Sequence, residues 1–295
     1  MNTNTLRLSY PQWQGGDPGY LMERLGEFSK QDATQGYILG SKILNLLVPP
    51  SDGPSAEIPI STSFTDDDLA VIDGIYAKKP ILKQLTDAIS IIKSHQPQKI
   101  ITLGGECSVS LAPFSYLCNK YENDIAAIWF DAHPDFSLPK DSPTDIGFHA
   151  MPVSHLLGMG DQEVLSILPG KLPASNLLYA GLRATMPYHD ERIKSLGIPR
   201  YTPQELRKNP NVISDWLKSK GCSKVIIHLD LDCIDPQELI AAVGRDPDGM
   251  KINEVIENIV EISKICEIVG FSVTEHMPTV EMKLRNLLHS LPVFD

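Results

Sequence analysis

Two short segments of this 295-residue chain combine carboxylates and an imidazole at a spacing of two residues. One reads Asp131-Ala132-His133-Pro134-Asp135, and the other, Asp230-Leu231-Asp232, has a third carboxylate at Asp235. Alternate residues of an extended chain project to the same side, so each segment presents its polar groups together. Because clustered anions oppose one another's ionisation, a cleft containing them needs a cation. We predict a divalent metal site, with Mn²⁺ suited to such oxygen-rich ligands and hydrolysis as its natural chemistry.

Both segments directly follow apolar runs of strand length, and further runs of this kind recur along the chain. Segments with apolar residues every three or four positions separate them, as in Leu82, Leu85 and Ile89. This alternation predicts an α/β fold with a parallel sheet covered on both faces, in one domain over residues 1–295. Ligands of such sheets bind beyond the carboxyl ends of the strands. The predicted strands are 99–103, 125–130, 176–180, 224–229 and 267–273.

Composition excludes several classes of partner. The chain has 26 Lys and Arg against 37 Asp and Glu, a net charge of -11, which disfavours nucleic acid and anionic membrane surfaces. No stretch reaches the roughly 18 apolar residues of a membrane-spanning helix, and no signal peptide is recognisable. The five cysteines are an odd number without a C-x-x-C pair, so we expect reduced thiols and a cytoplasmic location.

Four blocks resemble the ureohydrolase family, which comprises arginase, agmatinase, formimidoylglutamase and relatives. In chain order they are Gly104-Gly105-Glu106-Cys107-Ser108, Asp131 to Asp135, Asp230 to Pro236, and Glu275-His276-Met277-Pro278. The resemblance implies a three-layer α/β/α domain with a parallel sheet of about eight strands and a centre of two manganese ions at the strand ends.

The metal ligands that the resemblance implies fall on the two Asp-rich blocks. Asp131 and Asp230 would bridge the two ions, and His133 and Asp232 would complete one site. Asp135 would serve the other site and hold the bridging hydroxide by a hydrogen bond. That hydroxide would attack the planar carbon of a guanidinium or amidine, and urea or formamide would leave with an amine.

Two further residues receive catalytic roles from the resemblance. Glu275 matches the carboxylate that pairs with the guanidinium nitrogens. His149 falls where several family members have a histidine that passes protons to the leaving amine, although Ala150 replaces the usual glycine, and a structural role is the alternative. The other histidines show no ligand spacing and are interpreted as surface or core residues: His95, His155, His189, His228, His276 and His289.

The first block departs from the family pattern at Cys107, where a histidine is the usual ligand of the site that Asp135 also serves. A thiolate favours Zn²⁺ or another softer ion over Mn²⁺, so this site is expected to be weak, differently loaded or empty. The alternative is that Cys107 is simply a small buried residue, as free cysteines usually are.

The residues expected to recognise substrate also depart from true arginases. Ser137, Asp145 and Met186 occupy positions where arginases bind the α-amino and α-carboxylate groups, and Asp145 would repel an α-carboxylate. The segments Ser108 to Ala112 and Pro247 to Met250 resemble the hydroxyarginine amidinohydrolase branch instead.

The leading hypothesis is a cytoplasmic, metal-dependent hydrolase that releases urea from a small linear guanidino compound. The family implies a homo-oligomer, as a trimer or hexamer. Two alternatives stay open: a hydrolase of formimino compounds, and an inactive arginase-like scaffold with a degraded metal site. Metal content and product identity distinguish the three.

The substitution Cys107→His tests whether residue 107 is positioned as a ligand. We expect it to raise Mn²⁺ occupancy, because imidazole suits this ion better than a thiol does. Elemental analysis after loading with Mn²⁺ measures the change. Unchanged occupancy would mean that residue 107 lies outside the coordination sphere.

Overall fold

The computed structural model describes residues 4–291 and 293. Its strands are β1 Thr5–Tyr10, β2 Ser55–Glu57, β3 Val71–Ile72, β4 Ile75–Tyr76, β5 Lys99–Gly104, β6 Ile125–Phe130, β7 Leu177–Ala180, β8 Arg200–Tyr201, β9 Lys224–Asp230 and β10 Glu267–Thr274. Eight of them form one parallel sheet in the order β2-β1-β5-β10-β9-β6-β7-β8, whereas β3 and β4 form a separate antiparallel hairpin. The predicted α/β fold with a parallel sheet of about eight strands is confirmed.

Helices flank the sheet on both faces. They are α1 Pro18–Arg24, α2 Lys30–Leu47, α3 Lys78–His95, α4 Leu111–Tyr121, α5 Pro152–Leu156, α6 Gln162–Ile167, α7 Pro187–Ser195, α8 Pro203–Lys208, α9 Val212–Lys220, α10 Ile252–Ile265 and α11 Thr279–His289. Within the described ranges, no helix is both long enough and apolar enough to cross a bilayer.

Strand β6 shows why both faces of the sheet are apolar. Its residues are all buried and alternate between two cores. Ala127 and Trp129 pack in the core that contains α3 and α4, whereas Ile128 and Phe130 pack in the core that contains α9 and α10. A strand buried on both sides therefore has a continuous apolar sequence rather than an alternating one.

The strand order brings the polar blocks together. Strands β5, β10, β9 and β6 are consecutive neighbours in the centre of the sheet, and all run in the same direction. Phe130 is in register with Leu229, and Thr274 is in register with Asp230. The segments that follow these four strands consequently meet at one edge, although they are far apart in the sequence.

Helix α2 packs closely on the segment that follows β10. Gly40 in this helix is buried, and a Cβ atom there would clash with the carbonyl oxygen of His276. A backbone oxygen cannot move aside as a flexible side chain can, so the contact requires glycine.

Gly40→Ala should therefore destabilise the protein, although alanine normally stabilises a helix interior by about 1 kcal/mol relative to glycine. Overpacking of this kind costs about 1–3 kcal/mol. Denaturant unfolding measures the change in the free energy of unfolding. Gly36→Ala, one turn earlier, is the control, because a Cβ there meets the flexible ends of Met277 and Met282, and a smaller loss is expected. Equal effects of the two changes would contradict this packing.

Candidate metal centre

The end of β6 supplies a carboxylate held in a fixed orientation. Asp131 is fully buried, and its Oδ1 accepts a hydrogen bond of 2.6 Å from the backbone N–H of His133. Its Oδ2 accepts one of 3.0 Å from Nε1 of Trp129. Each oxygen therefore accepts one hydrogen bond from the protein and retains lone pairs for a further partner.

The end of β9 lies against this carboxylate. Asp230 accepts a hydrogen bond of 2.7 Å from the backbone N–H of Asp232, and Asp232 Oδ1 accepts one of 3.2 Å from the N–H of Ala132. Asp232 Oδ2 lies 3.0 Å from Nδ1 of His133. Asp131, His133 and Asp232 each offer a ligand atom within 4.8 Å of the others.

Cys107 joins the centre from the end of β5. Its Sγ donates to Asp230 Oδ2 at 2.9 Å, and its backbone N–H donates to Glu275 Oε1 at 3.1 Å. Ligand atoms of Cys107, Asp230 and Glu275 lie within 4.8 Å of one another. A further group with this spacing contains Cys107, Asp131, Asp135 and His228. All six predicted metal ligands thus belong to adjoining groups.

Asp135 is the ligand candidate with the least support from the protein. Its side chain is buried, and its Oδ2 has no hydrogen-bond partner among the described residues. Its φ of 49° lies in the left-handed region, which residues other than glycine seldom occupy. An unpaired buried carboxylate oxygen is costly unless a cation approaches it. Together with the surrounding oxygen, nitrogen and sulfur donors, this oxygen fits a divalent metal ion.

Burial raises the pKa of several of these carboxyl groups. The pKa of Asp131 rises to about 6, with the charge of Asp232 contributing, and that of Glu275 rises to about 7. Burial also raises the pKa values of Asp135 and Asp230, and neighbouring carboxylates add to the effect. The anionic state of this centre is therefore unfavourable without positive charge.

His133 supplies positive charge on one side of the centre. Burial opposes its protonation, but Asp232, Asp131 and Asp246 together raise the pKa of its imidazole well above the usual value. In return His133 lowers the pKa of Asp232 to about 2 despite burial. A proton on His133 Nδ1 lies between the carboxylates of Asp131 and Asp232. A metal ion bound by these three residues would take its place.

A cavity of about 580 Å³ opens onto these residues. Its lining includes His133, Asp135, Asp230, Asp232 and Glu275. His149 also lies in the wall, where its backbone N–H donates to the carbonyl oxygen of Gly15 at 3.0 Å. In the described part of the chain the lining contains seven carboxylates and no lysine or arginine: Asp17, Glu23, Asp135, Asp145, Asp230, Asp232 and Glu275.

Sequence reasoning missed several residues that support the centre. Asp246 Oδ2 lies 3.3 Å from Nε2 of His133, which orients this ring. The hydroxyl of Tyr37 donates to Glu275 Oε2. Arg183 bonds the carbonyl oxygens of Asp232 and Asp246 at 2.9 and 2.8 Å, so it joins their two loops. No local spacing connects these residues to the motifs, because each contact crosses between distant segments.

The model of the arginase family matches residues 53–286, which is most of the chain. The chain belongs to the arginase family. Among curated relatives, arginase of Entamoeba histolytica is 24% identical over 63% of this chain, and arginase of Staphylococcus aureus is 29% identical over 52% of it. These alignments span 64% and 52% of the relatives, so the chain matches about half to two thirds of their length.

This chain shares its fold with solved structures of the arginase family. The crystal structure of Entamoeba histolytica arginase with L-ornithine aligns with a TM-score of 0.73 and 18% identity, covering 96% of this chain and 94% of that one. Formimidoylglutamase of Bacillus subtilis aligns with a TM-score of 0.63 and 16% identity, covering 97% and 84%. The predicted family is confirmed, and the residues that the family model matches, 53–286, include all four blocks.

The raised pKa values predict how a metal ion stabilises this arginase-family protein at different pH. Because the native carboxyl groups retain protons that the unfolded chain releases, their contribution to metal-free stability falls as pH rises from about 4 to about 7. An ion must displace these protons, so Mn²⁺ should raise Tm more at about pH 8 than at about pH 5.5.

Thermal unfolding with and without Mn²⁺ at each pH measures this difference. Buried His155 and His189, with pKa values lowered to about 4, titrate in the opposite sense, but they do so in both samples and cancel. A shift in Tm that is independent of pH would contradict carboxylate coordination.

Proposed function

We propose that this protein is a metal-dependent hydrolase that releases urea from a small linear guanidino compound. The observation that carries the proposal is the convergence of two Asp-rich strand ends and Glu275 on a cavity rich in carboxylates. Such a cavity attracts cations, and a guanidinium is a planar cation whose N–H groups pair with a carboxylate.

The adjoining groups of ligands support a centre of two ions. Asp131 and Asp230 would be shared, His133 and Asp232 would hold one ion, and Asp135 would hold the other together with Cys107. Manganese suits the oxygen-rich site, whereas a thiolate suits Zn²⁺ or another softer ion. When bound, such ions lower the pKa of water and provide the nucleophile for hydrolysis.

The remaining chemistry belongs to the protein. Glu275 binds and orients the guanidinium, and its own orientation is fixed because Tyr37 and the N–H of Cys107 each hold one of its oxygens. Asp135 holds a proton of the attacking water through its unpaired Oδ2. His149 in the cavity wall gives a proton to the leaving amine, the role that the family resemblance implies for this position.

The carboxylate of Asp145 in the cavity wall favours a substrate with a second cationic group. Asp145 lies in the wall, where its Oδ2 accepts hydrogen bonds of 3.0 Å from Ser137 Oγ and 3.2 Å from the hydroxyl of Tyr188. Two neutral donors leave its negative charge in place. An α-carboxylate beside it would be repelled, so an amine-terminated guanidino compound such as agmatine is expected to be a better substrate than arginine.

The location and the assembly are also proposals. The five cysteines are buried and unpaired in the structure, as suits a reducing cytoplasm. A homo-oligomer, as a trimer or hexamer, is in keeping with the exposed apolar side chains of α11, among them Val280, Leu284 and Leu287.

The experiment is an assay of urea release by protein loaded separately with Mn²⁺, Ni²⁺ and Zn²⁺. The panel contains arginine, N-hydroxyarginine, agmatine, guanidinobutyrate, guanidinopropionate and guanidine. We expect urea from at least one compound, with agmatine ahead of arginine. Formamide from a formimino compound would favour that alternative, and the absence of any product from a protein that retains one ion or none would favour the inactive scaffold.

Asp131→Asn and Asp230→Asn should each abolish turnover and metal retention together, because each replaces a shared, charged carboxylate with a neutral amide that has only one ligand oxygen. Asp235→Asn is the matched control: this residue lies in the same block but outside the cavity lining, where it accepts backbone N–H groups of Gln237 and Gly249. Assay and elemental analysis of the three variants measure the effect. Normal turnover by either ligand variant would overturn the two-ion model.

A further inference from the structure

His228 lies beneath the candidate metal centre in strand β9, two residues before Asp230. It is fully buried, and its ring stacks on that of Trp129 with centroids 3.8 Å apart and planes 7° from parallel. Its Nδ1 lies 2.8 Å from Ser110 Oγ. These contacts fix the ring, and a protonated Nδ1 that donates to Ser110 would leave the lone pair on Nε2.

Nε2 of His228 points toward the centre. It lies 3.7 Å from Asp131 Oδ2, and its nearest hydroxyl, Thr274 Oγ1, is 3.4 Å away. That hydroxyl is also 3.5 Å from Cys107 Sγ and from the carbonyl oxygen of Leu229, so it is a weak and divided partner. In the tautomer with Nδ1 protonated, the lone pair on Nε2 therefore lacks a strong hydrogen-bond donor.

We propose that His228 Nε2 is a metal ligand, and that it completes a site with Cys107 Sγ and the carboxylates of Asp131 and Asp135. This inference rests on the metal centre of the proposed function and adds to it a ligand that the two Asp-rich blocks do not contain. The four residues each offer one ligand atom, and these atoms all lie within 4.8 Å of one another.

The unpaired Oδ2 of buried Asp135 is the independent sign that something belongs between these groups. Asp135 and His228 belong to the same group of four residues, and Asp135 Oδ2 and His228 Nε2 each lack a strong hydrogen-bond partner among the described residues. Ligand atoms around a tetrahedral ion lie about 3–4 Å apart, given bonds of about 2.0–2.3 Å. The 3.7 Å between Nε2 and Asp131 Oδ2 falls in this range.

The composition of the site indicates which ion it selects. One sulfur, one imidazole nitrogen and two carboxylate oxygens suit a borderline ion such as Zn²⁺, Fe²⁺ or Co²⁺ better than Mn²⁺. The neighbouring group of Asp131, His133 and Asp232 has no sulfur. The two halves of the centre are thus chemically unlike, and they should load with different ions.

The direct test is a crystal structure of the unmodified protein saturated with Zn²⁺, with the ion located by its anomalous scattering. We expect an ion about 2.0–2.1 Å from His228 Nε2 and about 2.3 Å from Cys107 Sγ. An ion bound by Cys107, Asp131 and Asp135 without contact to His228 would overturn the proposal, as would the absence of any ion there at saturation.

A second test measures Zn²⁺ affinity and stoichiometry by competition with a chelator. His228→Asn retains a polar atom for Ser110 but removes Nε2, and it should weaken one of two sites at least about 100-fold, since even residues that only orient ligands contribute about 10–100-fold. The matched control is His155→Asn, at another fully buried histidine whose nitrogens bond Met151 O and Asp161 N. It should retain both sites, and equal affinities of the two variants would overturn the proposal.

The two tests separate this inference from the proposed function. Zn²⁺ on His228 without urea from any substrate would leave the ligand assignment standing and remove the proposed activity. Urea release with no ion on His228 would support the proposed activity and remove the ligand assignment. If His228→Asn does not fold, as judged by circular dichroism, the crystallographic result on the unmodified protein decides.

Discussion

Five carboxylates lie buried where four central strands of the sheet end, and their mutual repulsion constrains everything around them: Asp131, Asp135, Asp230, Asp232 and Glu275. Taking a carboxylate out of water is expensive, and several together raise one another's pKa. The protein offsets part of this cost with directed donors, including the indole of Trp129 and the backbone N–H groups of the two Asp-rich segments. These donors do not neutralise charge, so the need for a cation persists.

The same constraint accounts for the strained backbone at the centre. Asp135 and Glu275 both have positive φ, 49° and 66°, in loops that turn sharply to direct their side chains inward. Neighbouring hydrogen bonds maintain these conformations: the N–H of Glu275 donates to Gly105 O at 2.7 Å, and that of Val153 donates to Asp135 O at 3.0 Å. Strain of this kind persists only where the surroundings enforce it, and it is concentrated at functional sites. The rigid loops at the carboxyl ends of the central strands therefore hold carboxylates in buried positions that are unfavourable for charged groups.

Sequence patterns predicted the central strands well, because strands buried on both faces have continuous apolar runs that few other structures produce. Strand β6 has the predicted bounds, whereas β1 was missed because it alternates polar and apolar residues over only six positions. The ligand blocks were recognisable because their spacing is local. Tyr37 was not, since it meets Glu275 across 238 positions of sequence. His228 also stands at a spacing of two from Asp230 and Asp232, and its proposed role as a ligand would use this local pattern.

The two interpretations of Cys107, ligand and small buried residue, are compatible in this setting. Burial raises the pKa of its thiol well above the usual value, and the charges of Asp135 and Asp230 add to the effect. Without an ion the thiol retains its proton and donates it to Asp230 Oδ2, so it acts as a neutral partner that lessens the repulsion. An ion bound beside Cys107 would reverse this balance, because positive charge favours the thiolate and releases the proton. A histidine cannot act in both ways, since it has no anionic form in this pH range. With a thiol at position 107, ionisation of this side of the proposed centre would therefore depend on the metal.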